Sequence, residues 1–469
     1  MRQTNPLVTY AWVALLALGA LGVQSAPSAL HVKEAGAKPA QPQAKNRSPA
    51  AQQATRSSKR RKRTGVTALR ERLGPRTPTG LGIVIGHVEG DVDAYLPRMG
   101  APAFRGVTFR PQMGKDARHN DHTTGTCKVI YGAKGMAPGV KFVDLYPSGA
   151  WIGSAYLNTG RPEPPRVTEA RIFTHSWVAY AGGSSALPLR RVDYLIDTRD
   201  IMVIAGVNND AKTKVPGLMC SSYNGIAVGT HRAKHSRGYT VVEGAGRCKP
   251  DITTHAGTTS IATPIIAAIV ARLMETADRM GHAPDAKRSE VLKAVLFAGT
   301  HKPKKWKPAP GKPLDETWGA GIVQVDRSYD ALTSGPVLPG QTAGANGWAF
   351  RKISAQETHH YEFDISGPAR AWGTALVWHR RVMGKQVHDL LTDQLKWSTA
   401  ARMANLDLSL YRIKQDGSLK LISESTSKID NNEHLFRRNV SPGRYRVVVS
   451  RKDRFDQPWD YALAWSMKR

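Results

Sequence analysis

His255-Ala256-Gly257-Thr258-Thr259-Ser260-Ile261-Ala262-Thr263-Pro264 opens an apolar stretch that continues to Met280. Ile261, Ile265 and Ile269 form one i, i+4 row, and Ala262, Ile266 and Val270 form the next. Adjacent apolar rows describe a helix buried over much of its circumference. Such a helix needs a large core around it. Gly82-Ile83-Val84-Ile85-Gly86, Val140 to Leu145, Ala170 to Thr174 and Ile201 to Ala205 are short apolar runs of the kind that form parallel strands buried on both faces. Strands alternating with helices predict an α/β fold, a mostly parallel sheet with helices on both faces, over residues 80–334. Beyond about Ser334 the period changes. Leu406, Leu408 and Leu410 alternate with polar residues, as do Tyr445, Val447 and Val449 after the turn Ser441-Pro442-Gly443. That pattern predicts a smaller all-β sandwich over 335–469.

Upstream of the core, Met1-Arg2 precedes an apolar run from Leu7 to Val23, with Val23 and Ser25 at the −3 and −1 positions of a cleavage site. This is the pattern of a signal peptide over 1–25, so the expectation is a secreted, periplasmic or extracellular protein with no transmembrane segment in its mature form. Residues 26–79 are rich in Ala, Pro, Gln, Lys and Arg and lack aromatics. Their composition predicts a disordered basic linker, with a turn or two of helix over Val66 to Leu73. The 469 residues carry a formal charge of +30, densest at Ser57-Ser58-Lys59-Arg60-Arg61-Lys62-Arg63. With no recognisable nucleic-acid fold, the charge implies attraction to an anionic cell surface or to acidic substrates, and no specific nucleic acid. The three cysteines, Cys127, Cys220 and Cys248, are too few for a disulfide framework; one bridge, Cys220–Cys248, suits the spacing, and no spacing suits zinc.

Three segments carry chemistry. Gly82-Ile-Val-Ile-Gly-His-Val-Glu89-Gly90 is a strand ending in a carboxylate. Asp121-His122-Thr-Thr124-Gly125 is followed by Ala137-Pro138-Gly139, and the third segment is that around Ser260. A serine hydroxyl is a poor nucleophile until a base stands beside it, and imidazole suits that task when a carboxylate fixes its tautomer. Ser260 at the start of a helix also places an emerging negative charge near the positive end of the dipole. Each segment alone has a plain structural reading: an N-cap, a surface histidine, a turn. An acid, a histidine and a serine within one α/β domain are the groups that nucleophilic catalysis needs.

The segment around Ser260 resembles the Gly-Thr-Ser-x-Ala-x-Pro motif of the subtilisin-like serine peptidases, and Asp121-His122-Thr-Thr-Gly resembles their His-Gly-Thr-His segment. The resemblance spans about Gly80 to Leu332 and includes Ile226 to Gly229, Lys249 to Ile252 and Trp318 to Val323. It implies an endopeptidase acting on proteins or peptides, with Ser260 as nucleophile, His122 as general base, Glu89 orienting His122, and no cofactor required. Val203 to Asn209 resembles the family's Ala-Ala-Gly-Asn segment, which implies Asn208 as oxyanion donor, with Asn209 its neighbour. The sequence departs from the family at three points. Glu89 stands for an aspartate, with Asp91 and Asp93 open as alternatives. Thr258 stands for a glycine, and Gly125 for a second histidine. Asp197-Thr198 follows His122 and would break the chain order. These departures leave open a catalytically impaired binding protein, and Glu89 with Asp93 leaves open an acid-active sedolisin type. Thr174 to Trp177 and Ala181 to Gly183 fall where the specificity pocket is expected. The C-terminal part resembles sandwich domains appended to secreted bacterial peptidases. There Asp407, Asp430 and Glu433 are calcium-type ligands that also read as solvated loop acids, and the metal complement stays open.

Overall fold

The computed structural model describes residues 49–90, 94–113, 117–180, 185–389 and 393–468. The signal-peptide segment, the alternative acids Asp91 and Asp93, and Ala181 to Gly183 lie outside the described residues. Two helices come first, α1 (Pro49–Arg63) and α2 (Val66–Leu73), then strands β1 (Val84–Glu89) and β2 (Thr108–Pro111), helix α3 (Asp121–Ile130), β3 (Phe142–Pro147), the short α4 (Ser148–Ala150) and β4 (Ala170–His175). Helix α5 (Ala186–Arg199) leads to β5 (Met202–Gly206), β6 (Ile226–Thr230), the small pair β7 (Gly238–Tyr239) and β8 (Cys248–Lys249), and β9 (Ile252–Thr254). Helices α6 (Thr259–Asp278), α7 (Ser289–Ala298) and α8 (Val325–Thr333) complete this part.

The main sheet has seven parallel strands in the order β2-β3-β1-β4-β5-β6-β9. Ile85 and Leu145 face α3 and α6, while Val88, Phe173 and Val203 face α5, so the sheet is covered on both sides. Every residue of α6 from Ala262 to Ala277 is buried, as its apolar rows require. It is the one helix among the described residues long and apolar enough to cross a membrane, and it serves instead as the core of the fold. The chain leaves β1 towards β2 and β3 on one side and returns to β4 on the other. Such a reversal opens a crevice at the carboxyl ends of the strands, where ligands of α/β sheets bind.

The expected disordered stretch over 26–79 is corrected from Pro49 onward. Composition missed it because a few residues at the right spacing are enough to dock on a core made elsewhere. Val66 and Leu69 are buried in the main core. Residues 78–81 are tied down by two buried charges of α6. The Glu275 carboxylate accepts the backbone N–H groups of Thr79, Gly80 (2.6 Å) and Leu81 (3.1 Å), and Arg272 donates to the carbonyls of Met136 (2.6 Å) and Pro78.

Strands β10 (Thr342–Ala343), β11 (Asn346–Ile353), β12 (Thr358–Ile365), β13 (Ala369–Val377), β14 (Arg381–Asp389), β15 (Gln394–Arg402), β16 (Leu406–Ile413), β17 (Leu419–Ser425), β18 (Asn432–Val440), β19 (Gly443–Arg451) and β20 (Trp459–Lys468) follow. A five-stranded sheet, β10-β12-β19-β16-β17, faces a four-stranded one, β11-β20-β13-β18, and β14 and β15 form a separate ribbon. Tyr461, Leu463 and Trp465 of β20 point into the sandwich, while Ala462 and Ala464 join the main core on the other side. The four-stranded sheet is therefore buried on both faces. Small residues allow the approach of α7: a Cβ on Gly373 would lie 2.6 Å from the Ala298 carbonyl oxygen. Residues Pro49 to Arg469 thus form one compact unit. The pairing expected of Cys220 and Cys248 is corrected as well, since all three cysteines are free and buried, Cys127 and Cys248 in the main core and Cys220 in a separate apolar cluster.

Candidate active site

Alternation along β1 sends Ile85, His87 and Glu89 to the α3 face, and the last of these stands at the strand's carboxyl end. Helix α3 begins there. Asn120 caps it, its side-chain oxygen accepting the His122 N–H at 2.7 Å, which fixes the first turn against the end of β1. Glu89 Oε2 then lies 3.0 Å from His122 Nδ1. The sequence-assigned acid and base are brought together.

Glu89 has a second set of partners that sequence reasoning missed. Its Oε1 is 3.0 Å from His87 Nε2 and accepts the Thr126 hydroxyl at 2.9 Å, while His87 Nδ1 meets the Tyr131 hydroxyl at 3.2 Å. The signal was the i, i+2 spacing of His87 and Glu89 on one strand face. Aspartate is one methylene shorter; glutamate lets one carboxylate serve both histidines. Burial opposes ionisation of Glu89, but the hydrogen bonds from His122 and His87 outweigh it and bring its pKa down to about 2. His122 is raised above its ordinary value, chiefly by its hydrogen bond to Glu89, with burial working against the rise. Its side chain remains 46% exposed, so the ring is open to the crevice.

Ser260 is the second residue of α6, after Thr258 as N-cap with extended backbone (φ −134°, ψ 160°). The Thr258 Cβ is accommodated without strain, as the residue is exposed and its φ lies in the ordinary region. No hydrogen bond joins Ser260 to His122. The Ser260 hydroxyl donates instead to the Ser176 carbonyl, at a long 3.4 Å. Pro264 is the sixth residue of α6, in its second turn. It therefore removes the N–H that would bond the Ser260 carbonyl four residues earlier. The Ser176 hydroxyl replaces it, donating to Ser260 O at 3.2 Å. Ser176 follows β4, whose last residue, His175, is fully buried against Trp151 and held at a pKa of about 3, mainly by burial.

Asn208 does not reach the start of α6. Its amide donates to the Tyr180 hydroxyl (3.1 Å), and its side-chain oxygen accepts the Asp210 N–H (2.9 Å). Asn209 is the residue that does: its Oδ1 accepts the Thr259 N–H at 2.7 Å and the Thr259 hydroxyl at 3.0 Å, capping the helix from across the crevice. Of the two neighbours, Asn209 is the one that turns towards α6. Which of two adjacent asparagines turns inward depends on the loop after β5, not on the strand pattern. A basic groove of about 260 Å³ adjoins the same helix end. Arg56, Lys59, Arg60 and Arg63 of α1 line it with Arg232 and with His255 to Gly257.

Among the described residues, Asp407, Asp430 and Glu433 are not gathered as a metal site. Asp430 binds the Ser427 hydroxyl (2.7 Å), and Glu433 accepts the Ser425 hydroxyl and the Ser427 N–H (2.5 Å).

No protein-family model and no curated protein matches the sequence. Among solved structures, the fold is similar to fervidolysin from Fervidobacterium pennivorans, a keratinolytic enzyme related to subtilisin, at 11% identity over 83% of this chain and 77% of that one (TM-score 0.37). It is similar to Pseudomonas sedolisin, a serine-carboxyl proteinase, at 14% identity over 55% and 95% (TM-score 0.39). Tripeptidyl peptidase 2 matches at 10% identity over 74% of this chain (TM-score 0.35), which spans 40% of that enzyme's length. The chain resembles the subtilisin-like peptidases, followed by a C-terminal sandwich domain. Its chemistry rests on its own residues.

Proposed function

We propose that the protein is a serine endopeptidase that works through an acyl-enzyme on Ser260. The observation that carries this reading is the 3.0 Å bond between Glu89 Oε2 and His122 Nδ1 beside the first turn of α6. With Nδ1–H donated to the carboxylate, Nε2 is the free base. The Ser260 hydroxyl leaves its long bond to Ser176, gives its proton to His122 and attacks the scissile carbonyl carbon. The Ser260 N–H and the Asn209 amide receive the oxyanion; the Asn209 Nδ2 donates to no protein group among the described residues, because its oxygen makes both bonds to Thr259. His122 then protonates the leaving amine, and water repeats the sequence to release the acid.

The groove beside the nucleophile supports substrates that carry acidic side chains near the scissile bond, in line with the charge of +30. The leader pattern supports export, and the same basic surface supports association with an anionic envelope. The acid-active alternative is disfavoured, because a carboxyl held at about 2 by two histidines is a poor proton donor.

Labelling with a fluorophosphonate probe tests the proposal. A label on the folded protein that is absent from Ser260→Ala supports it. No labelling of a folded sample between pH 5 and 9 overturns it in favour of a binding protein with an unused triad.

A further inference from the structure

Away from the crevice, where the sandwich meets the helices of the α/β part, Asp197 of α5, Glu290 of α7 and His379 of the segment between β13 and β14 converge. One ligand atom from each lies within 4.8 Å of the others. Glu290 and His379 are almost fully buried, at 1% and 2% exposure, and Asp197 is 21% exposed. The segment carrying His379 is fixed on both sides: Trp378 N–H donates to Asn431 O, and the Trp459 indole donates to the His379 carbonyl at 2.9 Å.

Two hydrogen-bonding patterns are open to His379. The Ser289 hydroxyl lies 3.3 Å from Asp200 Oδ1, whose other oxygen is taken by Arg288, and 3.2 Å from His379 Nε2, and it can donate to either. A hydroxyl that donates to Asp200 accepts from His379 Nε2, 3.2 Å away. In that pattern Nδ1 turns its lone pair to two carboxylate oxygens, Asp197 Oδ1 at 3.3 Å and Glu290 Oε1 at 3.2 Å; when Ser289 donates to Nε2 instead, Nδ1–H is within hydrogen-bond reach of Asp197. Lone pairs do not converge in a buried site unless something positive stands between them. The other oxygen of Glu290 is buried without any hydrogen-bond partner. Counted as carboxylates, Asp197, Asp200 and Glu290 against Arg288 leave two negative charges (three minus one) around the imidazole.

Both separations are long for a charge-assisted N–H···O bond, which runs about 2.7–2.9 Å. They match the edge of a tetrahedron whose ligands stand about 2.0–2.1 Å from its centre, near 3.3 Å, which is the geometry of zinc bound by nitrogen and oxygen. We propose that Asp197, Glu290 and His379 form a zinc site that clamps the C-terminal sandwich to the α/β part. The cation cancels the two excess charges, the partnerless Glu290 oxygen or a water entering beside Asp197 completes the four ligands, and Ser289 orients the histidine from behind.

The test uses the full chain, stripped with EDTA and dialysed against micromolar zinc chloride. The expected result is about one equivalent of bound zinc, held at least about 100-fold more weakly by His379→Ala and by the isosteric Glu290→Gln. Near-UV circular dichroism establishes that the variants are folded, and Asp197→Asn, at a partly exposed position, gives a third variant expected to weaken binding. Cobalt in place of zinc should give the visible bands of a tetrahedral centre, lost in the same variants. Zinc binding unchanged in folded His379→Ala would overturn the proposal, as would no binding by the parent. In the second case the charge between the carboxylates is a proton, and His379 would show imidazolium resonances by NMR.

Discussion

Replacing Glu89 by glutamine keeps the shape of the side chain and removes its charge. The consequence can be worked from the site. The ordinary carboxyl value is 4.5, and the two histidines bring Glu89 down to about 2 against the effect of burial. At 1.36 kcal/mol per unit, that shift favours the carboxylate by about 3 kcal/mol. A depressed folded-state pKa contributes stability that is present above the unfolded value and lost as pH falls through the folded one. The parent should therefore lose stability between about pH 4.5 and 2, and Glu89→Gln should lose about 3 kcal/mol at neutral pH with little further loss in that window. In catalysis, no amide orientation keeps the charge that stabilises the imidazolium formed when His122 takes the serine proton. Losing about 3 kcal/mol there slows the reaction about 10²-fold, and an amide N–H turned to His122 Nδ1, imposing the wrong tautomer, takes the loss to about 10⁴-fold. Urea unfolding across pH and kcat/KM on a fluorogenic peptide measure the two effects. A folded Glu89→Gln within about tenfold of the parent in kcat/KM would refute the assignment of Glu89 as the orienting acid.

Asn209→Ala should lower kcat by about 10²–10³, while Asn208→Ala, whose side chain points to Tyr180, should stay within a few-fold; the same peptide assay separates them. Because Glu89 raises His122 above 6.5, the acid limb of the kcat/KM profile should fall above that value in the parent and move down in Glu89→Gln. Ser176→Ala should cost about 1 kcal/mol by leaving the Ser260 carbonyl unpaired, read as a shift in the denaturation midpoint. Leu69→Ala, in a segment whose composition reads as disordered, should cost about 2–5 kcal/mol, since the side chain is fully buried.

The strands of the main sheet are legible because buried parallel strands need continuous apolar runs, and α6 is legible because its apolar rows repeat over five turns. Glu89 and His122 were readable from chain order, and their bond follows from the end of β1 meeting the start of α3. His87 carries only the weak signal of its i, i+2 spacing from Glu89, which gains meaning once the facing residues, Thr126 and Tyr131, are known. The choice between Asn208 and Asn209 was beyond the sequence for a related reason, since one residue of loop geometry decides it. Helices α1 and α2 were misread because their stabilising partners, such as the Val325 N–H donating to the Thr64 carbonyl at 2.8 Å and the Lys134 carbonyl accepting the Ser57 hydroxyl at 2.6 Å, lie far away along the chain.

The four-stranded sheet that is buried on both faces has a consequence for how the protein is made. Strand β20 comes after every other described strand, yet it lies in the middle of that sheet, between β11 and β13, and its Ala462 and Ala464 belong to the main core. A ribosome can release Ser260, His122 and Glu89 long before Trp459 emerges, but the core beneath them stays open until then. Completion of the nucleophile's surroundings is thereby deferred until β20 has been made, and a chain stopped short of β20 should expose apolar surface and go to degradation rather than persist as a shortened protein.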